Sequence, residues 1–426
     1  MRAEQIALPV LRQINRRPRL APALDRLLQP FNVFSPELNA DPYPLYDRLR
    51  QRGPVVRHRA LNNWVVSSYE LCEQVLRSPV SVDRGDLFDV VPPWSRLPRE
   101  DRETFTSSML LLDPPDHTRL RKLVSRAFTP RTVDRIEGRV TEIADRLVER
   151  AAVGPSVDLF ESVFAPLPIY VIGELLGIPE SDWPRLKGWS DEFAKFIDPI
   201  DAFEPAEMTA TIAEMRSAMD EWIEVRTGEP GDDLLSQLLR AEDEDGGGRL
   251  SRVELQSMVA LLMAAGHETT SGLLGTAVVA LWGRPDLRER LADDPAIAVA
   301  AVDELIRFDS PVQNTDRLVV DDLEIGGRTV KGGQMMLLLI GAANRDPDRF
   351  ERPDVLDFDR PDNRPLSFGH GIHHCLGAAL ARQEARIVLP MVCRAFRDHE
   401  IDRGGVRWKR SMTLRGPIAL PLSRRS

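Results

Sequence analysis

The residue types best suited to chemistry surround one cysteine near the C-terminal end of the chain. Cys375 stands in the stretch PLSFGHGIHHCLG, in which Gly369 and Gly371 permit positive φ angles or a close approach to a ligand. Apolar residues spaced for one helical face follow this stretch and predict a helix. The sulfur is therefore expected near a helix N-terminus, where the dipole and free N–H groups favour a thiolate, the form that binds metals.

Three roles are open for Cys375 on its residue type and neighbours. A lone cysteine is most often a small, buried hydrophobic residue. Zinc is a second possibility because His370, His373 and His374 lie close in sequence, although zinc sites usually combine two ligand pairs and no second pair is present. A haem iron is the third possibility, and it needs only one thiolate from the protein.

A second candidate for chemistry lies within the longest helical pattern of the chain. This pattern runs from Ser251 to Trp282 and opens with the capping-box residues Ser251 and Glu254. It is apolar nearly all round, which predicts a helix buried through the middle of the protein. Its polar centre, GHETT, must therefore find partners or serve a function.

An acid and an alcohol stand side by side in this polar centre. Thr269 shares a helix face with Gly266, and Glu268 would point partly away, toward a water channel or a buried partner. The structural alternative is that Thr269 only bonds back to the carbonyl of Ala265. Gly266 lacks a Cβ, so a ligand could approach the helix backbone there. A zinc-protease HExxH motif is excluded because residue 271 is serine.

Composition and charge limit the class of protein. The chain has 426 residues, 42% of them hydrophobic, and a net charge of −10, which disfavours generic nucleic-acid binding. No run approaches the roughly 20 apolar residues of a membrane-spanning helix, so no stable membrane insertion is expected. An odd number of cysteines, three, argues against a disulfide framework and predicts a reducing, cytoplasmic location.

The order of patterns predicts a mainly α-helical protein with a small β lobe. Short strands are expected near residues 54–67 and 318–340, including a hairpin whose turn is formed by Gly326 and Gly327. Residues 79–110 and 345–366 lack periodicity and are predicted to be irregular. No linker divides the chain, so we expect an N-terminal arm over residues 1–40 and a single domain over residues 41–426.

Two motifs and the element order resemble one family. FGHGIHHCLG around Cys375 matches the full FGxGxHxCxG haem loop of the cytochrome P450 family, and AGHETT matches its oxygen-binding motif. The order of elements resembles the cytochrome P450 fold from end to end. The resemblance implies a haem-thiolate monooxygenase with haem b (iron protoporphyrin IX) between the long central helix and the cysteine-loop helix, and with Cys375 as the iron ligand.

The resemblance also implies roles for other residues. Thr269 would hydrogen-bond dioxygen, and Glu268 would relay protons to it. The expected cofactor contacts are Gly266, Phe368 and Gly369, with four propionate partners: His117, Arg121, Arg317 and His373. Glu304, Arg307 and Arg360 match the family's structural ExxR-and-arginine set. The expected substrate contacts are mostly apolar, with Gln313 and Asn314 as groups that could orient a substrate oxygen: Leu261, Ala265, Val312, Gln313, Asn314 and Met412.

The implied reaction is hydroxylation or epoxidation of a lipophilic small molecule. The chain appends no flavin or iron–sulfur module, so electrons are expected from a separate ferredoxin and an NAD(P)H-dependent ferredoxin reductase. Arg119, Lys122 and Arg126 recur along one helix face, and we interpret them as a docking patch for the acidic ferredoxin. A peroxide-driven haem enzyme and a non-enzymatic haem carrier or sensor are the alternatives.

Overall fold

A computed structural model describes residues 36–58, 63–82, 93–197, 203–243 and 248–425. Most of the predicted N-terminal arm, residues 1–35, lies outside the described residues. Across the described ranges no helix is both long enough and apolar enough to cross a membrane.

Helices dominate the described residues, as the sequence predicts. The longest is Arg252–Trp282, and the helix that follows the cysteine loop is Ala378–Ala395. The other α-helices are Pro36–Ala40, Tyr43–Arg52, Tyr69–Arg77, Arg99–Thr106, Asp116–Ala127, Pro130–Arg135, Glu137–Ala151, Pro166–Leu176, Trp183–Ile197, Pro205–Gly228, Leu234–Arg240, Pro285–Asp293, Ala298–Phe308 and Ile340–Ala343. Single turns of other helical types lie at Trp94–Arg96, Phe160–Phe164, Glu180–Asp182, Pro295–Ile297, Leu366–Phe368 and Gly371–His373.

Short strands form the predicted β lobe and several smaller sheets. A four-stranded sheet has the spatial order Val55–His58, Asn63–Val66, Met335–Leu338, Thr315–Leu318. The predicted hairpin joins Leu323–Ile325 to Arg328–Val330, and both turn glycines adopt positive φ. The remaining strands are Ser156–Asp158, Glu242–Asp243, Gly248–Arg249, His399–Ile401, Arg407–Trp408, Pro417–Ala419 and Pro421–Arg424.

The long helix forms the centre of the larger hydrophobic core. Its capping box is present as predicted: the Glu254 N–H donates to Ser251 Oγ (3.3 Å), and the Ser251 N–H donates to Glu254 Oε2 (2.8 Å). Most of its residues are buried, because it packs against Arg99–Thr106, Pro166–Leu176, Trp183–Ile197 and Ala378–Ala395. A smaller apolar cluster lies beneath the β lobe.

The prediction that residues 79–110 are irregular is wrong in part. The helix Arg99–Thr106 lies within them, and Phe105 on its inner face packs against Phe193 and Phe196, with ring centroids 4.8 and 4.6 Å away. Eight residues are too few to display a clear helical period in the sequence, so tertiary packing decides this element. Residues 345–366 are irregular, as predicted, apart from short turns.

Candidate active site

The cysteine loop has the backbone geometry that its glycines suggested. Gly369 and Gly371 adopt φ angles of 68° and 71°, which only glycine adopts without strain. A Cβ on Gly371 would overlap the carbonyl oxygen of Leu76, so the loop lies directly against the helix Tyr69–Arg77. The Cys375 N–H donates to the Phe368 carbonyl (2.8 Å), which closes the loop just before the helix begins at Ala378.

The electrostatic expectation for Cys375 needs correction. The Gly377 N–H, Arg121 and Arg382 all favour the thiolate, but burial has the larger effect and raises the pKa of the Cys375 thiol. The helix N-terminus alone therefore does not produce a thiolate at neutral pH. A directly coordinated cation would, because a metal-bound thiol is deprotonated outright.

Two histidines and two arginines lie close together next to the cysteine loop, and their role as propionate partners stays a prediction. His117 and His373 lie with ring centroids 4.2 Å apart, and Arg121 and Arg317 are their charged neighbours. Burial, and then His117 and Arg317, lowers the pKa of His373 to about 4.

This cluster contains buried nitrogen atoms that the described residues leave without a hydrogen-bond partner: both ring nitrogens of His117 and Nε2 of His373. Arg317 is also buried, and its Nη1 donates to Thr315 Oγ1 and the Asp316 carbonyl. Such a set of inward donors beside a cysteine fits a dicarboxylate group bound with its metal at the sulfur. Haem b has that composition.

The polar centre of the long helix contains the predicted back-bond from Thr269 and a close helix contact at Gly266. The Thr269 hydroxyl donates to the Ala265 carbonyl at 2.8 Å, which is the structural alternative. Ala265 itself is exposed, although the turn before it is buried. The Cβ that Gly266 lacks would lie 2.7 Å from Ile172 Cδ1, so this glycine admits a neighbouring helix. Contact of Gly266 with a cofactor stays a prediction.

Glu268 has buried partners that the sequence did not reveal. Its carboxylate forms an ion pair with Lys409 and lies 4.0 Å from Nδ1 of His267, and the Asp191 carboxylate lies within 4.8 Å. Burial raises the pKa of Glu268, but the attraction of Lys409 and then of His267 outweighs burial, so the pKa of Glu268 is lowered. Lys409 lies 141 residues further along the chain, and no local pattern in the sequence signals such a pairing.

The structural set is assembled as predicted. Arg307, fully buried, donates to both oxygens of Glu304, at 2.7 and 2.8 Å. Arg360 Nε donates to the same carboxylate at 3.1 Å. Arg307 also donates to the carbonyls of Asn344 and Pro353, which holds the irregular segment in place.

The predicted polar substrate contacts need correction. Gln313 Oε1 accepts from the Tyr46 hydroxyl, and its Nε2 donates to the Ser310 carbonyl at 2.7 Å. Asn314 Nδ2 donates to the carbonyl of Met412. These amides connect chain segments, because buried polar groups require partners, and Gln313 cannot also orient a substrate oxygen.

The apolar members of the predicted substrate set differ in exposure. Leu261 is buried in the long helix, and the half-buried Val312 forms an isolated β-bridge with Leu414.

Within the described ranges, one group of three side chains could hold a metal ion. It consists of Asp191, His267 and Glu268, whose ligand atoms lie within 4.8 Å of one another. Since this group does not include Cys375, the zinc alternative for the cysteine loop gains no support.

The helix that follows the single-cysteine loop packs against the long helix that carries the acid–alcohol pair, and this arrangement is that of a haem-thiolate oxygenase. The chain belongs to the cytochrome P450 family: the family's sequence profile, described as Cytochrome P450, matches residues 156–295 and 296–416. Members of this family are oxidoreductases that bind haem b.

Characterised relatives cover nearly the whole chain. Cytochrome P450 monooxygenase PikC of Streptomyces venezuelae is 39% identical over 391 residues, 90% of this chain and 91% of its own. Vitamin D(3) 25-hydroxylase of Pseudonocardia autotrophica is 40% identical over 368 residues, 84% of this chain and 87% of its own. The crystal structure of CYP109E1 from Bacillus megaterium with testosterone has a TM-score of 0.79 and 28% identity, covering 92% and 100% of the two chains.

Proposed function

We propose that this protein inserts one atom of dioxygen into a lipophilic small molecule, by hydroxylation or epoxidation. Electrons come from NAD(P)H through a ferredoxin reductase and a ferredoxin. In a hydroxylation, one C–H bond, one O₂, two electrons and two protons yield one alcohol and one water. The observation that carries the proposal is the grouping of His117, Arg121 and Arg317 around His373, with Arg121 also a charged neighbour of Cys375.

The side chains at the cysteine loop fit haem b. Cys375 would bind the iron, and the four inward donors, His117, Arg121, Arg317 and His373, would hold the two propionates. When bound, haem would supply the activation of dioxygen, and a thiolate ligand would favour O–O cleavage. Phe368 would contact the cofactor from the loop. Its ring is held by Arg382, whose guanidinium carbon lies 4.3 Å from the ring centroid.

Proton delivery is assigned to Glu268 and Thr269. The lowered pKa of Glu268 keeps it ionised at neutral pH, so it can accept a proton from solvent and pass it inward. The hydrogen bond from Thr269 to the Ala265 carbonyl fixes the hydroxyl oxygen, whose lone pairs can accept a hydrogen bond from a water molecule that carries the proton. This acid–alcohol pair favours an oxygen- and electron-dependent enzyme over the peroxide-driven alternative.

A lipophilic substrate is supported by the relatives. One relative is named for vitamin D(3), and structural relatives were crystallised with testosterone and with myristic acid. The apolar character of Leu261, Ala265 and Val312 agrees with such a substrate. With Gln313 engaged inside the protein, orientation of the substrate depends mainly on shape.

Docking of ferredoxin is assigned to the helix Asp116–Ala127. Arg119 forms an ion pair with Glu254 on the long helix, so it serves packing more than docking. Lys122, which is half-buried, and Arg126, which is exposed, lie on the same helix, and the proposed patch consists of these two cationic side chains. Reversing both charges should slow reduction by ferredoxin at low ionic strength, whereas Lys331→Glu on the β lobe should not, and equal rates in all three proteins would contradict this assignment.

The experiment that tests the proposed function is a difference-spectrum screen on the purified ferric protein. Lipophilic compounds, including testosterone, should displace the iron-bound water and shift the haem absorption. A colourless protein that stays colourless when hemin is added would refute haem ligation by Cys375. Spectral shifts without any NAD(P)H-dependent product would favour the carrier or sensor instead.

A further inference from the structure

The ion pair between Glu268 and Lys409 joins the proposed proton-delivery acid to the C-terminal part of the chain. Lys409 directly follows the strand Arg407–Trp408, and its N–H donates to the carbonyl of Gly416 at 2.9 Å. It therefore belongs to a C-terminal turn, residues 409–416, that lies across the long helix. The contact is largely sheltered, since the side chains of Glu268 and Lys409 are 11% and 27% exposed.

This C-terminal turn is pressed against the helix face that carries Glu268. Gly272 and Gly275 follow Glu268 at spacings of four and seven residues, which places all three on one face. A Cβ on Gly272 would lie 2.6 Å from the Arg415 carbonyl oxygen, and a Cβ on Gly416 would lie 2.6 Å from Gly272 Cα. Backbone meets backbone here, so the turn has little freedom to shift without moving Lys409.

The same turn reaches the predicted substrate region. The Met412 carbonyl accepts a hydrogen bond from Asn314, and the Thr413 carbonyl accepts one from the Gln313 N–H at 2.8 Å. Ser411 Oγ closes the turn by accepting from the N–H groups of Thr413 and Leu414, at 3.2 and 2.7 Å. A ligand that displaces Met412 therefore acts on the turn that also carries Lys409, and within this turn the Ser411 N–H donates to Asn39 Oδ1 at 3.3 Å.

The charges around Glu268 make Lys409 its decisive partner. Lys187 is occupied by Asp191 at 3.1 Å. Burial lowers the pKa of His267, so this imidazole is neutral at neutral pH, and its Nδ1 lies 2.8 Å from Ser190 Oγ. Lys409 is thus the permanent cation in direct contact with Glu268. Among the described contacts none joins Glu268 to Thr269, so the ion pair also holds the carboxylate away from the alcohol.

We propose that Lys409 is a positioning residue that ties the ionisation and orientation of Glu268 to the C-terminal turn, so that displacement of the turn releases the acid for proton delivery. This inference depends on the proposed function only in that Glu268 is taken to deliver protons. The ion pair itself and its response to the turn are independent of substrate and ferredoxin.

The direct test measures the protonation of Glu268 in the haem-loaded protein. The C=O stretching band of protonated carboxyl groups is followed by infrared titration from about pH 3 to about pH 9, a range that begins below the ordinary glutamate pKa of about 4.3, and Glu268→Gln identifies the band. Lys409→Met should raise the midpoint by about one pH unit or more, because burial then acts without its nearest opposing cation. Lys409→Arg should restore the midpoint, and Lys331→Met, which removes a surface ion pair with Asp322, should leave it unchanged.

The link to the turn is tested without changing any charge. Gly416→Ala should push the turn from the helix and raise the same midpoint, whereas Gly404→Ala, whose Cβ would meet only Asp402 Oδ1 at 3.4 Å, should not. Ser411→Ala removes two hydrogen bonds within the turn without a steric clash. It replaces Gly416→Ala as the test variant if Gly416→Ala does not retain haem. An unchanged midpoint in Lys409→Met would overturn the proposal, and unchanged midpoints in both turn variants would overturn the link. Loss of the thiolate-type haem spectrum in the unmodified protein would instead count against the proposed function.

Discussion

Arg307→Lys tests how the cysteine side of the protein is held together. The guanidinium is completely buried and donates five hydrogen bonds: two to the Glu304 carboxylate and one each to the carbonyls of Asn344, Pro353 and Val355. A lysine keeps the charge but has one ammonium group in place of the planar fork, so it cannot satisfy the carboxylate and the distant carbonyls together.

The expected loss of stability follows from the hydrogen bonds that lysine leaves unmade at Glu304 and at the backbone carbonyls. Hydrogen bonds to charged groups contribute about 1.5–3 kcal/mol each, and breaking a buried ion pair costs about 3–5 kcal/mol. Because lysine retains part of the pair, we expect the free energy of unfolding to fall by about 3 kcal/mol. With an m-value of about 3 kcal/mol/M, the urea midpoint would fall by about 1 M.

The assay is urea unfolding followed in parallel by far-ultraviolet circular dichroism and by the haem absorption. The matched control is Arg290→Lys, which alters an equally bidentate pair with Asp359, at 2.7 and 2.8 Å, on the exposed surface. Solvent already screens that pair, so no measurable change is expected. If Arg307→Lys destabilises the protein no more than Arg290→Lys does, burial is not what makes the Glu304–Arg307 pair important.

The other predictions concern the two sides of the active site. Gly371→Ala should lower the thermal unfolding temperature and the haem content, because a Cβ at this position overlaps the Leu76 carbonyl oxygen. The control is Gly327→Ala, which has a similar φ of 70° but no atom within 4 Å of the added Cβ, and its free energy of unfolding should fall by only about 1 kcal/mol. Cys375→Ser should abolish the thiolate-type absorption of the carbon monoxide complex, and an unchanged spectrum would contradict its role as the iron ligand. Thr269→Ala should retain ligand-induced spectral shifts but divert electrons to hydrogen peroxide, so product formation at unmodified efficiency would refute its role.

Part of the active site was predictable because its determinants are local in sequence. The cysteine loop, its positive-φ glycines and the helix that follows it lie within one continuous stretch, and backbone sterics restrict such φ angles to glycine. The long helix was predictable for a similar reason, since a capping box and an uninterrupted apolar pattern leave few alternatives. The pairing of Glu304 with Arg307 also follows from helical spacing.

The tertiary structure decided the features that depend on distant neighbours. Gln313 and Asn314 have side chains suited to a substrate, but burial requires them to satisfy Tyr46, Ser310 and the Met412 carbonyl instead. The pKa of the Cys375 thiol is raised because desolvation by the surrounding protein outweighs the helix terminus, even though the residue is exposed, and this balance depends on which segments fold around the loop.

The sequence by itself determined the chemical groups of this protein: one metal-binding sulfur, an acid beside an alcohol, and the helices that carry them. Only the tertiary structure decided how those groups are charged and constrained, as the ion pair of Glu268 with Lys409 illustrates. The physical reason is that motifs arise from short-range backbone geometry, whereas ionisation depends on every dipole, charge and water-excluding side chain brought near by folding.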